Sequence, residues 1–123
     1  MRILTARKRA EGLGSAKSGT THHWHMILSS AGLIVLVPLF IFTFGQSLGR
    51  PHAEVIAYYQ RPFPALVAAL TLLVGFLHFK DGVQTMIEDY VHGMRQKVLI
   101  IAMICLSYAA AATGLFAIAR LAL

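Results

Sequence analysis

Three apolar runs, each about twenty residues long, decide what this chain can fold into. They lie at about 26–45, 63–90 and 98–118, the second ending in a polar cluster at Tyr90. A run of that length with few charges matches the hydrocarbon thickness of a bilayer, and inside it the backbone must satisfy its own polar groups by forming a helix. Only 13% of the 123 residues are charged, about half the share usual for a soluble domain, so no soluble core of useful size is expected. The expected fold is an all-α membrane protein of three transmembrane helices over 26–123, preceded by a basic arm over 1–25. The arm is long and the first run is long enough to span, which argues against a cleavable signal peptide.

The formal net charge of +6 is not a nucleic-acid signature, because the excess gathers at the N-terminus. Arg2, Arg7, Lys8, Arg9 and Lys17 stand there against Glu11 alone, in a stretch with no apolar stripe that reads as extended or partly ordered. Such an arm attracts anionic lipid or docks a soluble partner. Five basic residues in the arm and three in the second connection (Lys80, Arg95, Lys97) face Arg50, Arg61 and Arg120 on the other side. The imbalance predicts a cytoplasmic N-terminus and a periplasmic C-terminus. Pro38 is expected to loosen the first span midway. The connection at 46–61 reads as a turn or surface helix, with Tyr58 and Tyr59 as interface anchors. Cys105 is alone in an apolar run, where packing is the expected role.

His78 is the most informative single residue. Gly75 precedes it by three positions, Gly82 follows by four, and Thr85 and Asp89 continue the same helical lane. Two glycines beside a histidine leave room for something flat, or for a close helix, and an ionisable residue in a span is a functional-site candidate by default. The plainer reading gives His78 a hydrogen bond to a neighbouring helix and the glycines a packing role. Lys80 and Asp81 point away from the lane and need other partners, or must snorkel. Span two is expected to run unbroken to about Tyr90, and Gly93 to stop it.

His22, His23 and His25 precede span one with Trp24 among them. Their spacing is read as giving no clean metal-binding pair; donation to an anionic group at the membrane surface fits better. Asp89 and Tyr90 pair a carboxylate with a phenol at a membrane edge. A phenol there can donate to a carbonyl oxygen and a carboxylate can pass protons, both needed to reduce a quinone; the plainer reading is a belt aromatic beside a solvated charge. A low-spin haem bound at His78 would need its second axial ligand from another chain.

With those residues in view, the chain resembles the smaller hydrophobic membrane-anchor subunit of succinate dehydrogenase (respiratory complex II) of the alphaproteobacterial type. The resemblance covers nearly the whole chain: the arm ending Gly14-Ser15-Ala16-Lys17-Ser18-Gly19-Thr20, the His-Trp cluster, three spans, and His78-x3-Gly82-x6-Asp89-Tyr90. It implies a second membrane-anchor subunit of cytochrome b556 type, an iron–sulfur subunit and a flavoprotein subunit as partners, in a bacterial inner membrane. It implies one haem b held between the two anchors, with His78 as this chain's axial ligand, and ubiquinone bound at Tyr90 and Asp89. His23 and His25 correspond to residues near the haem propionates. Relatives commonly carry an arginine near the start of span one. Ser29 and Ser30 stand there instead, so the propionate partners fall to the histidines, the arm or the other anchor. The chain is then an anchor that contributes to a quinone site and not the catalyst of succinate oxidation. The rivals are a haem-free structural or assembly subunit and a small transporter or holin-like protein.

Overall fold

The computed structural model describes residues 5–14 and 19–123. Parts of the basic arm, including Arg2 and Lys17, lie outside the described residues. Five helices follow in order: α1 (Ala6–Glu11), α2 (Gly19–Gly45), α3 (His52–Tyr59), α4 (Pro62–Tyr90) and α5 (Met94–Ala122). α2, α4 and α5 are long and apolar enough to cross a membrane. At about 1.5 Å per residue each exceeds the thickness of the hydrocarbon layer, leaving a turn or more for the headgroups.

Local chemistry explains the boundaries. Thr5 caps α1 by accepting from the Lys8 amide at 3.3 Å, and Arg7 pairs with Glu11 at 2.8 Å. The segment read as extended or partly ordered carries a short capped helix. Gly49 and Gly93 take φ of 72° and 73° at the turns that precede α3 and α5, a conformation side-chain-bearing residues avoid. Pro62 opens α4 at a position where its missing amide costs nothing. Pro38 sits inside α2, which remains a single helix. Hydroxyls in the spans bond back to their own helix: Ser30 to the Met26 carbonyl at 2.8 Å, Thr43 to Leu39 at 2.9 Å and Thr113 to Ala109 at 2.9 Å. A hydroxyl in an apolar surrounding, whether lipid or bundle interior, has few other partners.

α4 is the central element and packs on α2 along one side and on α5 along the other. Its register against α2 is antiparallel: Asp81 faces His22, His78 faces Ser29, Val74 faces Gly32, and Thr71 reaches the Leu36 carbonyl at 3.4 Å. Small residues set the approach, as in other membrane bundles. A Cβ on Gly114 would stand 3.1 Å from Leu72 Cδ1, and Met103, Ser107 and Ala111, four residues apart on one face of α5, are buried. α3 closes one end against α4 and α5, and Tyr59, expected as an interface anchor, is buried at 5% exposure with Tyr58 edge-on to it. Most large apolar side chains, Ile34, Leu66, Leu106 and Phe116 among them, face outward. Lipid or a partner subunit must cover them.

Candidate functional site

His78 sits half-buried on α4, beside the seam with α2. Its Nδ1 lies 3.0 Å from Ser29 Oγ, and that hydroxyl is also 3.0 Å from the Met26 carbonyl oxygen. The Ser29 hydroxyl has one proton for these two acceptors. Given to the Met26 carbonyl, it leaves a lone pair toward the ring, and the Nδ1–H tautomer of His78 then donates to Ser29. Nε2 has no hydrogen-bond partner among the described residues. The opposite tautomer would leave an unpaired donor at Nε2, whereas this one leaves a free lone pair there.

The glycines on either side of His78 make no close packing contact among the described residues. A Cβ built on Gly75 or Gly82 meets no atom within 4 Å, whereas Gly32 and Gly114 press against Val74 and Leu72. The packing explanation therefore fits Gly32 and Gly114 and finds no contact at Gly75 and Gly82. Beside the lane an apolar groove of 270 Å³ is lined by Thr71, Leu72, Gly75, Phe76 and Phe79. Of the lane residues only Gly75 lines this groove; His78 and Gly82 lie beside it on the same helix. The lane's chemistry fits a flat apolar group with a metal at its centre: two positions without side chains and a histidine whose Nδ1 is anchored and whose Nε2 is free to ligate. Among the described residues no three of His, Cys, Asp or Glu are grouped to hold a bare metal ion.

A second cluster was not foreseen. Lys80 and Asp81 pair with each other at 2.5 Å, and Asp81 is buried at 7% exposure. His22 Nε2 stands 3.6 Å from the same carboxylate oxygen and is itself buried without a hydrogen-bond partner. Of the two outcomes expected for Lys80 and Asp81, partners inside the bundle is the one found. One expectation is corrected: the histidines belong to a helix, since α2 begins at Gly19, so His22 and His25 share a face. His25 borders a cavity of 420 Å³ with Ser29, Leu77, Lys80, Asp81 and Tyr108. Leu77 and Lys80 occupy the side of α4 roughly opposite Gly75 and Gly82, so His25 looks away from the open lane. His23 is exposed and does not line that cavity. The available signal was Asp81 itself, a carboxylate in an apolar stretch that demands a cation.

Asp89 and Tyr90 end α4, about two and a half turns beyond Asp81. Tyr90 is 83% exposed and Asp89 is also exposed. Their neighbour Glu88 is engaged, accepting from Gln84 at 2.8 Å through its carboxylate and from Gln96 at 3.3 Å through its carbonyl. Neither Asp89 nor Tyr90 has a side-chain hydrogen bond among the described residues, so both are available to a ligand or to another chain.

Fold and site together define a multi-pass membrane protein whose candidate site residues lie toward one end of a three-helix bundle. Residues 1–116 match the family model described as succinate dehydrogenase/fumarate reductase transmembrane subunit. The chain is similar to the succinate dehydrogenase hydrophobic membrane anchor subunit of Paracoccus denitrificans, 45% identical over 123 residues that cover 100% of this chain and 95% of the relative. It is also similar to the proteins of the same name in Rickettsia bellii (30% identical, covering 68% of this chain and 66% of the relative) and Rickettsia conorii (27%, 76% of each). No solved structure gives a significant match. The chain belongs to the succinate dehydrogenase/fumarate reductase transmembrane subunit family, and at that level its role is that of a membrane anchor.

Proposed function

We propose that this chain anchors a succinate:ubiquinone oxidoreductase in a bacterial inner membrane, with its N-terminus in the cytoplasm. It does so beside a second anchor subunit, an iron–sulfur subunit and a flavoprotein subunit, holds one side of a haem b and forms part of the ubiquinone site. The observation that carries the reading is the lane on α4: His78 between two glycines with open space, Nδ1 held by Ser29 and Nε2 free. His78 would hold the haem iron through Nε2, together with a residue of the second anchor. When bound, the haem supplies a one-electron redox centre whose potential depends on its axial ligands and their hydrogen bonds. His23 and His25 are the histidines proposed for its propionates.

At the end of α4, the Tyr90 hydroxyl would donate to a ubiquinone carbonyl and fix the ring at the membrane edge. Reduction of the quinone to the quinol takes two electrons, delivered one at a time by the iron–sulfur subunit, and two protons. Asp89, exposed beside Tyr90, would receive protons from the aqueous phase and pass them toward the carbonyl oxygens. Succinate oxidation takes place on other subunits.

The test is a split assay on the whole complex. Tyr90→Phe removes one hydroxyl and is expected to lower ubiquinone reduction by about tenfold to a hundredfold, the range for a lost hydrogen bond to a reacting group. Succinate oxidation with a soluble artificial acceptor stays near wild type. Equal loss in both assays would mean misassembly and would remove Tyr90 from the quinone site.

A further inference from the structure

We infer that Ser29 is a positioning residue for His78: its hydroxyl fixes the ring's tautomer and orientation and raises the electron-donating power of Nε2. The inference rests on the haem reading above and adds to it a residue on a different helix, 49 positions away in sequence. Three observations carry it. Ser29 Oγ lies 3.0 Å from His78 Nδ1. The same oxygen lies 3.0 Å from the Met26 carbonyl, which can take the hydroxyl's proton and leave a lone pair for the ring. Ser30, the next hydroxyl on α2, also bonds the Met26 carbonyl, at 2.8 Å, and has no hydrogen bond to the ring. Ser29 alone therefore links α2 to the ring, at a point where the α2–α4 register is fixed by Gly32 against Val74.

The physical consequence follows from the direction of the bond. An acceptor on Nδ1–H draws the proton away from the ring and leaves more electron density at Nε2. That favours the ferric over the ferrous state of a bound haem and lowers its potential. Without the hydroxyl, the ring is also free to turn about its side-chain bonds. Loss of such an outer partner typically weakens a metal site by tenfold to a hundredfold. If tenfold of that falls selectively on the ferric state, the midpoint potential rises by about 59 mV.

The experiment uses the assembled complex in its membrane, with Ser29→Ala, Ser29→Val, Ser29→Thr and His78→Ala. Redox titration gives the haem midpoint, low-temperature electron paramagnetic resonance reports the axial-ligand geometry, and haem is counted per complex. Ser29→Ala and Ser29→Val are expected to raise the midpoint by roughly 30–60 mV and shift the low-spin signal. Ser29→Thr, which keeps the hydroxyl in the shape of valine, stays near wild type. Haem loss in Ala and Val but not in Thr supports the same conclusion. A wild-type midpoint and signal in Ser29→Ala, with haem lost in His78→Ala, overturns the Ser29 inference and leaves the haem reading standing. Equal haem loss in all three Ser29 variants overturns it as well, since shape and not the hydroxyl would then matter. A wild-type haem spectrum in His78→Ala removes the haem reading and this inference with it.

Discussion

Asp81 is the most deeply held charge of the bundle, and removing it should unbalance the seam between α2 and α4. Its side chain is 10% exposed and lies 2.5 Å from Lys80 Nζ, on a side chain that is 19% exposed. Asp81→Ala leaves the ammonium without its counter-charge. Breaking a buried pair from one side costs about 3–5 kcal/mol. Lys80 can recover part of this, because its four-carbon stem lets the ammonium reach the headgroups. The net expectation is about 2–3 kcal/mol, or roughly a 30- to 150-fold faster thermal unfolding of the purified complex at fixed temperature. Lys80→Ala in the same background removes the stranded charge. The double variant should return to within about 1 kcal/mol of wild type, since replacing both members of a buried pair with apolar groups is often neutral. The double-mutant cycle isolates the coupling. If Asp81→Ala and the double variant unfold equally fast, or if Asp81→Ala matches wild type, Lys80 and Asp81 do not act as a buried pair.

The glycines divide into two classes with opposite expectations. Gly75→Leu and Gly82→Leu should leave membrane insertion and helical content unchanged, because a Cβ at either position meets nothing, yet each should deplete haem from the purified complex. Unchanged haem content would mean that the lane does not hold it. Gly114→Leu should act the other way, lowering stability by about 1–3 kcal/mol through overpacking against Leu72, with haem depleted only as far as the complex itself is lost. Gly114→Ala should be milder, since Leu72 must yield only a few tenths of an ångström and alanine favours the helix by about 1 kcal/mol over glycine.

The three spans were legible because membrane crossing is written in run length and charge, which need no knowledge of neighbours. The unbroken run of α4 to Tyr90 was legible for a similar reason: the lane of residues 75, 78, 82, 85 and 89 keeps its helical register across the polar boundary. What escaped depends on pairing between helices. Nothing local joins Ser29 to His78 or His22 to Asp81; both contacts follow from an antiparallel register that is set by where Gly32 meets Val74. The shared face of the histidines is hidden in the sequence because α2 begins well before the first apolar residue. It starts at Gly19, on Thr20 and Thr21, and that brings His22 and His25 onto one face. Tyr59 misled in the opposite sense. An aromatic near a membrane edge usually anchors there, but α3 folds back on α4 and α5 and buries it.

The central claim is that the His78 imidazole binds haem iron, and the reduced-minus-oxidised optical spectrum of the purified complex tests it most directly. In wild-type complex a b-type absorbance is predicted, at one haem for each copy of this chain. In His78→Ala complex that still contains every subunit, the low-spin b-type signal should be lost or converted to a high-spin form. A b-type spectrum of wild-type position and intensity in that variant would contradict the claim.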